Sequence, residues 1–247
     1  MNQPMDTSGD TGLPLGRLLA LAMAGFLAIM TETLPAGLLP QIGTGLAVSE
    51  AMAGQMVTLY ALGSVLAAIP VVAATRGLRR RPLFMAAVGG LLLFNSLTAL
   101  SGHYGLTLVA RFAAGMAAGV IWGLVAGYAR RMVPPHLQGR ALAVAGVGQP
   151  LALAAGVPLG AWLGSLFDWR GVFWALSALC LLLLAWVRLG VPDCAGQTAH
   201  QRQPVARILL VPGVRPVLLA LFGWMLAHNM LYTFIAPFLA SRSEEHT

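Results

Sequence analysis

Two side chains in this sequence are ionisable where everything around them is apolar or small: Glu32, inside a run from Leu18 to Leu39, and Arg111, inside a run from 105 to 128. A charge in the middle of a membrane span costs about 2.5–3.5 kcal/mol on insertion scales, and such groups face a cavity or a partner. A carboxylate in that setting can carry a proton, and a guanidinium keeps its charge and can bias the exchange. At 1.5 Å per residue, both groups lie roughly 9–10 Å from the same end of their spans. An ion pair or a shared water follows if the two helices adjoin. The guanidinium favours the ionised carboxylate and loss of water the neutral one, so solute or a conformational change could tip the balance. The expected chemistry is proton coupling, with Glu32 as carrier and Arg111 as partner. Pro35 adds a local cause, because it cannot donate to the carbonyl of Thr31 and should kink the helix, leaving a free acceptor beside Glu32. Thr233 and Pro237 repeat this Thr-x-x-x-Pro spacing, as expected of a parallel half-repeat.

These groups must be positioned by membrane helices. The 247 residues are 58% hydrophobic and 9% charged, too few charges to solubilise that much apolar surface, so the chain is expected to be an all-α, polytopic membrane protein. Apolar runs of about 20 residues place spans near 16–39, 51–74, 82–101, 105–128, 141–164, 171–190 and 216–240. The first six have short links, which makes consecutive helices antiparallel neighbours. The expected organisation is a disordered N-terminus at 1–14, a six-helix bundle at 15–190, a linker at 191–215, one further helix at 216–240 and a hydrophilic tail at 241–247. The apolar stretch after Arg17 is too long for a cleaved signal peptide. The abrupt tail Ser241 to Thr247 breaks the composition of everything before it and reads as an artificial terminus, so that the chain would be the N-terminal portion of a longer protein and inactive alone.

Arginine sets the expected topology. All fifteen basic residues are arginine, and twelve fall together if the N-terminus is inside: Arg17, Arg76, Arg79, Arg80, Arg81, Arg130, Arg131, Arg140, Arg188, Arg202, Arg207 and Arg215. Of the rest, Arg170 is in an external loop, Arg242 in the tail and Arg111 within a span. This is a positive-inside pattern, so the net charge of +7 reflects an inner (plasma) membrane topology and not nucleic-acid binding. Cys180 and Cys194 form no disulfide or metal framework. The spans hold no Ser/His, paired-Asp or His-Glu-x-x-His arrangement, and no phosphate loop follows, so neither an enzyme nor an ATP-driven pump is expected.

Small residues recur every four positions in two spans, at Gly115, Gly119, Gly123 and Gly127 and at Gly148, Ala152, Gly156, Gly160 and Gly164. That register lets helix backbones approach closely. Candidates to line a solute cavity are Thr31, Tyr60, Asn95 and Gln149, with His228, Asn229 and Tyr232 one turn apart on the seventh span; hydrogen bonding between packed helices is the alternative role for each. Trp169 and Trp186, at opposite ends of the sixth span, are expected as interfacial anchors.

Several motifs in order carry a family resemblance. Thr31-Glu32-Thr33-Leu34-Pro35-Ala36-Gly37-Leu38-Leu39-Pro40 resembles the first-helix signature of the drug:proton antiporter branch of the major facilitator superfamily, and most closely the sugar-, arabinose- and purine-efflux-like members. Leu108-Val109-Ala110-Arg111 with Gly115 resembles its fourth-helix motif. Arg130 to Pro135 with Gly139-Arg140-Ala141 is similar to its loop between helices four and five. Gly156-Val157-Pro158-Leu159-Gly160 is similar to the antiporter motif of helix five. Asp168-Trp169-Arg170 with Phe173 resembles the entry to helix six, and His228 to Pro237 the seventh helix.

The resemblance implies an N-terminal six-helix major-facilitator bundle plus the first helix of a second bundle. It implies that helices one and four adjoin, and that Pro35, Gly115, Gly119, Gly156, Pro158, Gly160, Arg76, Arg79 and Arg80 act in helix packing and gating. The implied activity is proton-coupled efflux of a small organic solute (sugar, nucleoside or drug-like) by alternating access. It would use the proton gradient and no cofactor or metal, in a lipid bilayer, as a monomer when full length. Uptake or facilitated transport on the same fold, and a non-transporting membrane scaffold or sensor, remain the alternatives. Two departures matter: Thr75 stands where the loop after helix two usually has Asp, leaving its charge latch in doubt, and Val157 replaces the Gly before Pro158.

Overall fold

The computed structural model describes residues 12–197, 207, 210–227 and 230. The chain divides into two compact units, 1–197 and 198–247. The first unit holds six helical spans long and apolar enough to cross a membrane: Leu15–Gly37, Glu50–Ala74, Arg80–Leu100, Tyr104–Arg131, Pro135–Leu166 and Trp169–Gly190. In the second unit the described helix is Val214–Ala227. The remainder of the expected seventh span, with His228, Asn229, Tyr232, Thr233 and Pro237, lies outside the described residues, as do residues 1–11 and the tail 241–247. No strand occurs among the described residues, as expected where lipid offers no partner to a backbone outside helices.

Local chemistry explains the helix boundaries. The first span runs as α-helix over Leu15–Thr33 and tightens to a 3₁₀ turn over Leu34–Gly37, where Pro35 interrupts the donor ladder. A short helix, Leu39–Leu46, follows and is capped by Ala47 in the left-handed conformation (φ 54°). Ser49 then starts the second span, its side-chain oxygen accepting from the Met52 N–H at 3.3 Å. In the fifth span, Pro158 lacks an N–H and crowds the preceding turn, and the helix widens to a π turn over Ala152–Gly156 just before it.

The first span is the centre of the unit. In its most apolar window 72% of residues are buried, against 22–56% for the other five, so it is the one span enclosed by protein. The fourth span packs along the second, the third along the fourth and sixth, and the fifth and sixth along the first. The two glycine registers make these approaches possible. A side chain at Gly115 or Gly119 would collide with the backbone carbonyl of Tyr60 or Ser64 on the second span. One at Gly148 would collide with the Ala22 carbonyl on the first, and Gly156, Gly160 and Gly164 press against Met30, Leu34 and Leu38.

The two ends of the unit are pinned differently. At one end Arg170 stacks on Trp169 at 4.3 Å, pairs with Asp168 at 3.6 Å and donates to Ser101 O at 3.0 Å. Trp169 is fully buried and meets Phe173 edge-on, which corrects its assignment as an interfacial anchor. The reason is Gly45, whose missing side chain leaves the space the indole occupies. Trp186 remains 41% exposed.

At the arginine-rich end, residues 191–197, the start of the expected linker, lie against the unit. Tyr128 Oη donates to Pro192 O at 2.6 Å, Arg80 N to Cys194 O at 2.9 Å and Gln197 N to Arg76 O at 2.7 Å. Arg131 Nη1 donates to Ala195 O.

Candidate functional site

The site lies where the first span loses its regular ladder. Pro35 provides no N–H for the carbonyl of Thr31, four residues earlier. Arg111, fully buried on the fourth span, supplies the donor instead: Nη2 to Thr31 O at 2.5 Å, with Nε to Met56 O at 3.4 Å on the second span. Its guanidinium lies 4.7 Å from the Tyr60 ring centroid and 5.5 Å from that of Phe173. A buried cation is thus held by carbonyl dipoles and aromatic faces drawn from three other spans, the first, second and sixth.

One further expected residue, Asn95, joins this cluster. Thr31 and Asn95 are both fully buried, and Asn95 Nδ2 donates to Thr31 Oγ1 at 3.0 Å. Tyr60, also fully buried, donates its hydroxyl to Ala28 O at 2.8 Å. Thr31, Tyr60, Asn95 and Arg111 therefore form one network through the bundle interior, linking the first four spans. Ser96, the neighbour of Asn95, bonds instead to Ser177 Oγ at 3.0 Å and ties the third span to the sixth. Gln149 is exposed and takes no part. Two polar atoms in the cluster, Asn95 Oδ1 and Arg111 Nη1, are buried without a partner among the described residues. Tyr60→Phe keeps the ring under Arg111 and removes only the bond to Ala28; the expected cost is about 1 kcal/mol, read from unfolding of the purified protein.

Of the two arrangements expected for Glu32 and Arg111, an ion pair or a shared water, the direct ion pair is not formed among the described residues. Glu32 is half-buried, accepts no hydrogen bond, and has no partner nitrogen within 4.0 Å among the described residues. Arg111 spends its hydrogen bonds on the backbone carbonyls of Thr31 and Met56. Equal depth did bring the two to neighbouring residues.

The remaining gating candidates lie at the arginine-rich end. Thr75, in the expected Asp position, turns its hydroxyl back to Val71 O at 2.6 Å. The carboxylate comes from Asp193, which pairs with Arg79 Nε at 2.6 Å and accepts from Arg81 N at 3.2 Å. Arg80 is buried and donates Nη2 to Arg76 O at 3.0 Å. Asp193 was missed by sequence reasoning, because it is more than a hundred residues from the loop it serves. Among the described residues, no group of three His, Cys, Asp or Glu could hold a metal ion.

The family model described as Major Facilitator Superfamily matches residues 21–244. The chain is 32% identical over 209 residues to the purine ribonucleoside efflux pump NepI of Escherichia coli O1:K1 / APEC, covering 85% of this chain and 53% of that protein. It is 31% identical over 236 residues to the transcription regulatory protein OpdE of Pseudomonas aeruginosa, covering 93% and 58%. The chain thus spans about half the length of the curated relatives it matches. Among solved structures, the proton:xylose symporter XylE superposes with a TM-score of 0.64 at 15% identity, over 73% of this chain and 45% of that one. A bacterial homologue of the human lysosomal transporter Spinster gives 0.64 at 18%, over 81% and 49%. At these identities the structural matches establish the fold.

Proposed function

The chain belongs to the major facilitator superfamily, and from that premise we propose that the protein moves a small organic solute across the inner membrane in exchange for protons, by alternating access. The arginine-rich end is cytoplasmic in this reading, following the positive-inside bias. Glu32 is the proton carrier, and the cluster of Thr31, Tyr60, Asn95 and Arg111 holds the helix backbone that presents it. The efflux pump among the relatives, named for purine ribonucleosides, makes a nucleoside the first solute to test.

One observation carries this reading. Glu32 is half-buried in a membrane span without a hydrogen bond or ion pair, immediately beside a backbone carbonyl clamped by a buried arginine. A carboxylate committed to structure would be paired; in this reading Glu32 is instead the group that exchanges the proton.

The test is Glu32→Gln in everted membrane vesicles from cells expressing the native gene. Solute movement driven by an imposed pH gradient should fall to background, while solute-for-solute counterflow persists. Undiminished coupling to the pH gradient would remove Glu32 from the mechanism. A regulatory role without transport is the second reading, favoured by the relative named as a transcription regulatory protein. Vesicles showing neither gradient-driven flux nor counterflow of any solute tested would turn the argument that way.

A further inference from the structure

The arginine-rich end of the first unit contains a small cavity that the transport reading does not use. It has a volume of about 160 Å³ and lies between the second and fourth spans, lined by Arg76, Arg80, Gly127, Tyr128, Arg131 and Gln197 among others. No acidic residue is among the described residues that line it. We propose that this cavity binds a phosphate group.

Charge is the first argument. Arg80 is only 8% exposed and Arg131 faces the same space, yet neither has a carboxylate within 4.0 Å among the described residues. Asp193 is committed to Arg79 and lies outside the cavity lining. Arg80 uses Nη2 on Arg76 O and Arg131 uses Nη1 on Ala195 O, which leaves each guanidinium further donors. The Arg80 and Arg131 guanidiniums repel one another, and planar forks of donors suit the oxygens of a phosphate.

Shape is the second argument. Gly127 continues the four-residue register of Gly115, Gly119 and Gly123, yet a side chain built there meets nothing within 4 Å, whereas one at Gly123 would strike Val72. Gly127 therefore opens space at the cavity wall and makes no helix contact. A volume of about 160 Å³ equals roughly five waters and falls below the roughly 300 Å³ at which drug-sized pockets begin. It admits a head group and excludes a whole solute. Two sources share the chemistry: the phosphodiester of an anionic lipid, since basic pockets between helices at the cytoplasmic side take such head groups, and dissolved inorganic phosphate.

The experiment compares the full chain with Gly127→Met, which fills the cavity and keeps every charge, with Arg80→Gln/Arg131→Gln, and with Arg188→Gln as a control outside the cavity. Each is placed in phosphatidylcholine nanodiscs with or without phosphatidylglycerol. Lipid retained on release is counted by native mass spectrometry, and thermal unfolding is followed with and without inorganic phosphate. Phosphatidylglycerol retention that falls roughly tenfold in Gly127→Met and in the double variant, but not in Arg188→Gln, supports a lipid head group. A phosphate-induced rise in unfolding temperature lost in the same variants, with lipid retention unchanged, supports dissolved phosphate. If the double variant fails to fold, Gly127→Met decides alone. Equal retention and equal shifts in the parent chain and Gly127→Met, or no binding of either probe, overturn the proposal.

Discussion

Gly148→Ala is expected to destabilise the six-helix unit by about 3 kcal/mol, at the upper end of overpacking costs. The added carbon would sit on the Ala22 carbonyl, 2.7 Å from its carbon and 2.9 Å from Phe26 N. These are backbone atoms of the central span and have no rotamer to escape into, so the first and fifth spans must separate. Gly115→Ala should behave alike, with Tyr60 C at 2.8 Å and Tyr60 Cα at 2.9 Å. Gly156, Gly160 and Gly164 face the ends of Met30, Leu34 and Leu38 side chains, which can rotate, so alanine there should cost less. Gly127→Ala meets open space and should be neutral or stabilising by up to about 1 kcal/mol through helix propensity. Unfolding in mixed detergent micelles gives the ranking directly. Gly148→Ala and Gly127→Ala with the same midpoint would disprove the close backbone approach.

Truncating Arg111 to alanine is expected to cost about 3–5 kcal/mol, the sum of a buried cavity and an orphaned carbonyl. Thr31 O loses its donor, and Pro35 offers no replacement. Lysine should rescue only in part. One ammonium cannot span the Thr31 and Met56 carbonyls as the guanidinium does, and it lacks the plane that lies between Tyr60 and Phe173. The sharper measurement is a double-mutant cycle with Pro35→Ala. That substitution restores an N–H to the first span, so it should recover about 1 kcal/mol in the Arg111→Ala background and little in the parent. An identical effect of Pro35→Ala in both backgrounds would break the link between the two residues.

Much of the fold was legible in the residue order because membrane helices satisfy their own backbones. Each span is announced locally, by some twenty apolar residues and by a proline, serine or glycine at its ends. The glycine registers likewise announced close packing, since every fourth position falls near one helix face. Of the site, Thr31, Tyr60, Asn95 and Arg111 were found as polar groups in apolar runs, and the structure gathers them into one network. Gln149 had the same signature and lies elsewhere, because polarity within a span says nothing about which face of the bundle it meets.

By itself the sequence determined the helical class, the number and place of the first six spans, the arginine bias and the candidate proton carrier, all of which follow from the chemistry of neighbouring residues. Tertiary structure decided the partners. It gave Arg111 to the Thr31 carbonyl and not to the Glu32 carboxylate, because Pro35 leaves that carbonyl without its N–H donor. It set Asp193 on Arg79 across the unit and buried Trp169 against Gly45. It turned Gly127 from a packing residue into a cavity wall. Each of these depends on the rotation and offset of whole helices against one another, quantities set jointly by many distant contacts.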